Sequence, residues 1–177
     1  MFDSIFSDNE LIDYINGNLS DPWVGTPFEG YVFLSPKQKG EFGEKFISKY
    51  FTIIKNSKVQ KPLNAGHDRI VDDKKIEFKF SLATRDKKNG VKKDQFIINH
   101  VSKDKDWERL VFFGINFDEN DARMIWFTKD DFLKHLDSDD CLFNHQQGGK
   151  SIENDDYICT KVDKLLELSF IKTIDQW

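Results

Sequence analysis

The chain has 177 residues, a mass of 20.8 kDa and a net charge of −5; one domain is expected, and the overall charge argues against a nucleic-acid binder. Hydrophobic residues make up 38% of the chain and aromatic residues 14%, which argues against wholesale disorder. No apolar run approaches the roughly 20 residues that span a membrane, and neither the four histidines nor the two cysteines have the spacing of a structural zinc site.

The charge is distributed unevenly along the chain. Residues 1–36 hold six acids and no lysine or arginine, and residues 106–177 hold 8 basic against 16 acidic residues. Residues 37–105 hold 18 lysines and arginines against 9 acids, so a polyanion would be drawn to this segment. An ordinary solvated, lysine-rich surface would give the same pattern without a ligand.

The N-terminal region predicts an intracellular protein that begins with a short helix. The first residues lack a basic segment and a long apolar stretch, so we expect no signal peptide and a cytoplasmic location. Apolar spacing predicts a helix from about Asp8 to Tyr14 or Ile15, with Gly17 as its stop. The following segment, rich in proline and glycine, is predicted to be irregular apart from a short strand at Tyr31–Leu34.

The strongest helix signal begins at Ser35–Pro36, because this pair is typical of a helix N-terminus. Apolar side chains recur at helical spacing and predict one buried stripe, formed by Phe42, Phe46, Tyr50 and Ile53 or Ile54. Glu41 and Glu44 lie away from this stripe or at its rim, where a carboxylate could reach a neighbouring site. A plain surface glutamate explains either residue equally well.

After a possible strand at Val59–Leu63, residues 68–79 predict a tight β-hairpin with three candidate catalytic side chains. The first strand covers about His67–Val71, Asp72–Asp73 form the turn, and the second strand covers about Lys75–Phe80. A two-residue turn places Asp68 opposite Glu77, and Lys79 lies one pleat further along the same face.

Carboxylates that face each other across a hairpin repel, and a divalent cation would offset this repulsion. Mg²⁺ prefers oxygen ligands and commonly takes one or two carboxylates together with water and phosphate oxygens. Lys79 could polarise a water or stabilise charge that develops on phosphorus. A solvated charged face would explain the same residues, and a turn one residue longer would move Asp68 to the other face.

The rest of the chain predicts a buried sheet and two polar loops. Residues 81–91 form a basic loop, and Lys92 to His100 or Val101 is a helix or a strand. The continuous apolar run Arg109–Phe117 predicts a central strand buried on both faces, and Ala122–Phe127 predicts its neighbour. The later elements are a helix capped by Thr128 from Lys129 to His135 or Leu136, a glycine-rich loop at Asn144–Lys150, a last strand at Tyr157–Val162 and a packed segment at Leu165–Ile174.

The ordered set of Gly40-Glu41-Phe42-Gly43-Glu44, Asp68, Glu77-Phe78-Lys79, Gln95 and the apolar strand at 109–117 resembles the PD-(D/E)XK nuclease superfamily, in particular small type II restriction endonucleases. The similarity covers roughly residues 36–130, and His67 stands where the family carries a proline. The resemblance implies an α/β fold in which a central mixed β-sheet is flanked by α-helices, as a restriction-endonuclease-like core. It also implies a single nuclease domain, with an N-terminal extension at 1–35, a catalytic core at 36–130 and C-terminal elements at 131–177.

The resemblance implies Mg²⁺-dependent hydrolysis of phosphodiester bonds in double-stranded DNA, with Mn²⁺ able to substitute. The corresponding site residues are Asp68, Glu77 and the Phe78 carbonyl as metal ligands, Lys79 as the catalytic lysine, and Glu44, or less well Glu41, as the helix glutamate. Cutting both strands of a palindrome would require a homodimer, since two-fold DNA symmetry is matched by two-fold protein symmetry. A bacterial or phage-encoded protein of a restriction system is the expected setting.

DNA contacts are expected from the two polar loops, whose side chains could meet phosphates or base edges. The candidates are Arg85, Lys87, Lys88, Asn89, Lys92, Lys93, Gln95, His145, Gln146, Gln147 and Lys150. Two other functions fit the sequence. A Holliday-junction resolvase or repair nuclease would cut by DNA structure and have no preferred linear site, and a non-catalytic DNA-binding module would keep its function after Lys79→Ala.

Overall fold

The computed structural model describes residues 9–18, 21–85, 92–93, 96–116, 122–145 and 156–177. The chain divides into two compact units, residues 1–34 and residues 35–177. The fold is mixed α/β, as predicted, with four α-helices and a mixed six-stranded sheet within the described residues. No helix in these ranges is both long and apolar enough to span a membrane.

The first unit contains helix α1 (Glu10–Asn18) and a 3-10 helix at Tyr31–Phe33. Helix α1 runs past Gly17, so the predicted stop is wrong. The predicted strand at Tyr31–Leu34 is also wrong. Gly30 adopts a left-handed φ of 86°, and the Phe33 N–H donates to the Gly30 carbonyl, which closes a helical turn at this point.

The second unit holds all the remaining elements. In chain order they are α2 (Pro36–Ile53), β1 (Val59–Gln60), β2 (Arg69–Val71), β3 (Lys74–Leu82), β4 (Thr84–Arg85), β5 (Lys92–Lys93), β6 (Ile98–Ser102), β7 (Arg109–Ile115), β8 (Ala122–Thr128), α3 (Lys129–Leu136), β9 (Asn144–His145), β10 (Asp156–Cys159), α4 (Val162–Leu165), β11 (Lys172–Thr173) and a 3-10 helix at Ile174–Gln176.

The six-stranded sheet has the order β1-β2-β3-β7-β8-β11, and β3 and β7 are its parallel pair. Since parallel neighbours need a crossover connection, the chain leaves this sheet after β3. It forms the antiparallel ribbon β4–β5 and then β6, which belongs to a separate three-stranded sheet of order β6-β10-β9. The crossover therefore brings β6 close to β3, and these two strands are in contact.

Helix α2 begins as predicted. Ser35 and Gln38 form a reciprocal capping box, and Pro36 occupies the first turn. The face that packs on the sheet, however, consists of Gly43, Ile47 and Phe51.

The predicted buried stripe of α2 is therefore wrong in part. Phe42, Phe46 and Tyr50 are only half-buried, whereas Ile53 and Ile54 are 70% and 65% exposed. The cause is the close approach of α2 to β3, since a Cβ added to Gly43 would lie 2.3 Å from the Phe80 Cβ. A helix that packs through a glycine is not visible in the spacing of its large apolar residues.

The central strand prediction is confirmed, because β7 is buried on both faces. Leu110 and Phe112 belong to one hydrophobic cluster, and Val111 and Phe113 belong to a second cluster that includes the buried face of α2. The predicted strand after β7 and the helix capped by Thr128 are also present, as β8 and α3.

Two smaller predictions differ from the structure. The strand predicted at Val59–Leu63 ends at Gln60, and Leu63 is 98% exposed. The strand predicted at Tyr157–Val162 is found at Asp156–Cys159, because Val162 already begins α4.

Candidate active site

The hairpin of β2 and β3 has the predicted register. Val71 pairs with Lys74, Ile70 with Lys75 and Arg69 with Ile76. The turn residues Asp72 and Asp73 have φ values of 47° and 63°, as a two-residue turn with left-handed residues at both positions requires. Strand pairing fixed by this turn sets which side chains meet at the open end of the hairpin.

Asp68 lies at the point where the ladder between β2 and β3 ends. Its backbone N–H donates to the Ile76 carbonyl at 2.9 Å, and its Oδ2 accepts the Phe78 N–H at 2.7 Å. The Phe78 N–H thus bonds to a side-chain oxygen of Asp68 and not to a backbone carbonyl of β2. Asp68 therefore lies beside β3 at the end of β2 and is not a regular cross-strand neighbour of Glu77. The predicted cross-strand pair of Asp68 and Glu77 is therefore absent from the ladder, although the charge of Glu77 still raises the pKa of Asp68.

Glu77 is a buried carboxylate, with a side chain that is 3% exposed. Its Oε1 accepts a hydrogen bond from Lys79 Nζ at 2.8 Å and lies 3.6 Å from Lys105 Nζ. Its Oε2 is buried and has no hydrogen-bond partner among the described residues. A buried carboxylate oxygen without a partner carries a large desolvation cost.

Lys79 is held from two sides. Besides Glu77, its ammonium donates to the His100 carbonyl of β6 at 3.0 Å, and its side chain is 14% exposed. His100 has a left-handed φ of 53°, which interrupts the regular direction of the β6 backbone. The crossover strand β6 therefore fixes the lysine that β3 presents.

The pKa of Asp68 is raised from its ordinary value of 3.8 to about 6. Burial is the main cause, and the negative charge of Glu77 comes second. The Phe78 N–H lowers this pKa, Glu44 raises it and Lys79 lowers it, so all the predicted catalytic side chains act on one carboxyl group.

Glu44 reaches the site through Arg69. Its Oε2 lies 3.1 Å from Arg69 Nη1, and the same guanidinium nitrogen donates to the Asp68 carbonyl at 2.5 Å. Glu41, the other candidate, is 63% exposed and lies 3.8 Å from Lys37, with which it shares one helix face. The structure therefore brings Glu44, Asp68, Glu77 and Lys79 together and leaves Glu41 outside.

Sequence analysis missed three contributors to this site, namely Arg69, Lys105 and the His100 carbonyl. Strand alternation places Arg69 and Asp68 on opposite faces, but it does not predict where a long side chain at a sheet edge reaches. The contact of Lys105 with Glu77 depends on the parallel pairing of β3 with β7, where Ile76 faces Arg109. That pairing could be expected only from the crossover topology.

Three groups of the hairpin region could supply oxygen ligands to a divalent cation. Phe78 N–H and C=O point to the side of β3 where β2 has ended, since the Ile76 carbonyl, two residues earlier, bonds to Asp68 on that side. The candidate ligands are the Asp68 carboxylate, the partnerless Glu77 Oε2 and the Phe78 carbonyl. No group of three or more His, Cys, Asp or Glu suited to a metal occurs in the described ranges, and Mg²⁺ commonly takes only one or two carboxylates.

Most of the predicted DNA contacts lie outside the described residues: Lys87, Lys88, Asn89, Gln95, Gln146, Gln147 and Lys150. Arg85 pairs with Lys92, and Thr84 with Lys93, in the β4–β5 ribbon that directly follows β3. His145 lies on β9, with its ring 4.5 Å from that of Tyr157, at the border of a cavity of about 380 Å³. His145 thus belongs to the same three-stranded sheet as the His100 carbonyl.

Comparisons of the chain with family models, with curated proteins and with solved structures found no match.

Proposed function

We propose that the chain is a Mg²⁺-dependent endonuclease with a restriction-endonuclease-like core, and that it cuts double-stranded DNA as a type II restriction endonuclease. The observation that supports this most strongly is Glu77, a buried carboxylate with a lysine on one oxygen and no partner on the other. A protein retains such an oxygen at a cost in stability. The neighbouring Asp68, whose pKa is raised to about 6, pays a similar cost.

Asp68, Glu77 and the Phe78 carbonyl would hold the cation. A bound Mg²⁺ would polarise the scissile phosphate and neutralise charge on the leaving oxygen. Mn²⁺, which also takes carboxylate and carbonyl oxygens, could replace it.

Lys79 supplies a positioned cation beside the carboxylates. Because Glu77 Oε1 and the His100 carbonyl fix its ammonium, it can orient a water for attack and stabilise negative charge that develops on phosphorus without first reorganising. Glu44 would act indirectly. It forms an ion pair with Arg69, and Arg69 donates a hydrogen bond to the backbone carbonyl of Asp68.

The distribution of charge supports a polyanion as the substrate. The segment from residue 37 to residue 105, which contains α2 and β1–β6, carries twice as many basic as acidic residues, although the whole chain is acidic. A polyanion is attracted to such a segment, and a homodimer acting on a palindrome would present two such segments to one duplex.

The test is a plasmid digest with the purified chain in Mg²⁺, in Mn²⁺ and in EDTA, beside Lys79→Ala. Discrete fragments that need the cation and disappear in the variant are the expected result. Lys75→Ala is the matched control, because Lys75 lies on the same strand and the same face but pairs with Asp106 at 2.6 Å, and it should cut normally.

The same digest separates the alternatives. Nicking or a smear, together with cutting of four-way junctions, would replace restriction-type cleavage by a resolvase or repair nuclease. An intact plasmid and intact junctions under all conditions would refute the enzyme proposal.

A further inference from the structure

A basic groove lies beside the candidate active site. It has a volume of about 620 Å³, and its lining comes from α2, from β1 and Lys61 after it, and from the first residue of β2. Four of its side chains are cationic, namely Lys45, Lys49, Lys61 and Arg69, whereas Glu41 is its one carboxylate among the described lining residues.

The groove lysines differ from the other lysines around the hairpin. Lys75, Lys79 and Lys105 each lie within ion-pair distance of a carboxylate. Lys45, Lys49 and Lys61 are exposed and form no ion pair within the part of the chain that the structure describes. Three cations that line one groove and form no ion pair raise the local concentration of a polyanion.

The groove and the candidate active site share one side chain. Arg69 lines the groove, and the same guanidinium contacts both Glu44 and the Asp68 carbonyl. On α2 the lining residues recur at helical spacing from Glu41 through Lys45 and Lys49 to Thr52, so the cations follow the helix axis. Lys45 and Lys49 lie one turn apart, about 6 Å along that axis.

We infer that this groove binds the sugar–phosphate backbone of the DNA strand whose scissile phosphate lies at Asp68 and Glu77, an inference that rests on the proposed function. The described lining contains no aromatic side chain, and single bases are usually held by stacking on aromatic rings. The groove therefore offers cations to phosphates and no stacking surface to single bases. Phosphate contacts of this kind contribute to the affinity for DNA and fix the register of the protein on the duplex, whatever the base sequence.

An anionic membrane surface is the other polyanion that a basic region with exposed isoleucines could meet. Ile53, which lines the groove, is 70% exposed. The groove is concave, however, and Arg69 connects it with the candidate site. A DNA backbone that continues into this site fits a concave groove better than the flat surface of a bilayer does.

The test compares the salt dependence of DNA binding. Lys45→Gln/Lys49→Gln/Lys61→Gln and the parent chain are both placed in the Lys79→Ala background, so that the DNA stays intact. Binding to a labelled duplex of random sequence is measured by fluorescence anisotropy in Mg²⁺ across a range of KCl concentrations. Each phosphate contact contributes about 0.9 to the slope of log K against log[salt].

The triple variant should lose about 2 to 3 from the magnitude of this slope and bind roughly 10- to 100-fold more weakly near 0.15 M salt. Lys134→Gln/Lys161→Gln/Lys164→Gln removes the same charge from exposed positions of α3 and the α4 region. This control should keep the parent slope, which separates a local groove from a general effect of net charge.

An unchanged slope in the groove variant, a slope lost equally in the control, or no DNA binding by the parent would each overturn the inference. So would groove-dependent binding to phosphatidylserine vesicles without any effect on DNA. The digest described above reports on the proposed function separately. Cleavage with an unchanged slope would refute the groove alone. A groove-dependent slope without cleavage would refute the enzyme proposal and leave the groove as a binding site for a DNA backbone that is not cut.

Discussion

At the scale of single residues, the candidate site contains carboxylates that its surroundings stabilise only in part. Glu77 has two lysines near Oε1 and none of the described residues bonded to Oε2, and the half-buried Asp68 carboxyl is close enough to be affected by the Glu77 charge. Since the folded protein raises the pKa of Asp68, the ionised form of this side chain opposes folding. This charge therefore lowers the free energy of unfolding, whereas a carboxylate in an ordinary surface ion pair raises it.

Asp68→Asn should therefore stabilise the metal-free protein at pH 8. Asn Oδ1 can still accept the Phe78 N–H, while the charge is removed. The rise from 3.8 to about 6 corresponds to about 3 kcal/mol, so the free energy of unfolding should increase by up to that amount. The gain should shrink as the pH falls from 6 to 4, where wild-type Asp68 becomes protonated, and urea unfolding in EDTA at several pH values measures it.

Asp106→Asn is the control of opposite sign. Asp106 is exposed, and its hydrogen bond with Lys75 lowers the pKa of its carboxyl group, so the charge favours folding and is lost as the pH falls. Any stability change in this variant should be a loss at pH 8. If Asp68→Asn were the less stable protein at pH 8 in EDTA, the electrostatic account of the site would be wrong.

Lys105 would compete with a cation at the proposed metal site, because it contacts Glu77. Its ammonium lies 3.6 Å from Oε1 and its side chain is 48% exposed, so it can move away without breaking a buried contact. Lys105→Met should bind Mg²⁺ up to about fivefold more tightly, because a half-exposed ion pair contributes about 1 kcal/mol or less. Titration calorimetry measures this affinity, Lys134→Met should not change it, and weaker binding by Lys105→Met would contradict the prediction.

At the scale of elements, the contact between α2 and β3 determines where Glu44 lies. Gly43 allows the helix backbone to approach Phe80, and Glu44 is the next residue along the chain. The glycine thus positions a carboxylate as well as a helix. Gly40, one turn earlier, has no atom within 4 Å of an added Cβ.

Gly43→Ala and Gly40→Ala form a matched pair with opposite expected signs. Alanine favours a helix over glycine by about 1 kcal/mol, so Gly40→Ala should be stabilising by about that amount. Gly43→Ala should be destabilising by about 1–3 kcal/mol, because its methyl group would lie 2.3 Å from Phe80 Cβ. Thermal unfolding of both variants measures this, and a stabilised Gly43→Ala would show that α2 can shift without cost.

Features that depend on residues close together in the sequence could be predicted, whereas features that depend on contacts between distant elements could not. The hairpin register depends on two aspartates in one turn, and the start of α2 depends on Ser35 and Gln38, so local chemistry was sufficient. The buried face of α2 depends on a glycine that meets a side chain of β3. The contact of Lys105 with Glu77 depends on the pairing of strands that are distant in sequence, which no local pattern contains.

At the scale of the whole molecule, both hydrophobic clusters lie within the second unit. One surrounds Phe112, Phe127 and Phe132, and the other joins α2 to the opposite face of the sheet through Phe51 and Phe113. Every buried or partly buried member of either cluster lies beyond residue 34. Neither cluster thus contains a residue of the first unit.

A fragment of residues 35–177 should therefore fold without residues 1–34. We expect a far-UV circular dichroism spectrum of a mixed α/β protein and one cooperative urea transition, as small domains usually show. A fragment with Ile47→Asp, which places a charge in the buried face of α2, should lose the transition. A broad, non-cooperative transition in the unsubstituted fragment would contradict the prediction.

Selection for stability alone would not retain the ion pair of Glu77 and Lys79, whose side chains are 3% and 14% exposed. Removal of Glu77 alone would leave the Lys79 ammonium without its carboxylate, but replacement of both residues by apolar side chains of similar size is often neutral or favourable. A library randomised at positions 77 and 79 and sorted only for folded protein should therefore lose both charges, whereas the same library sorted for cleavage should recover them. The two kinds of selection would thus separate the demands of folding from the demands of the proposed chemistry at the same two positions.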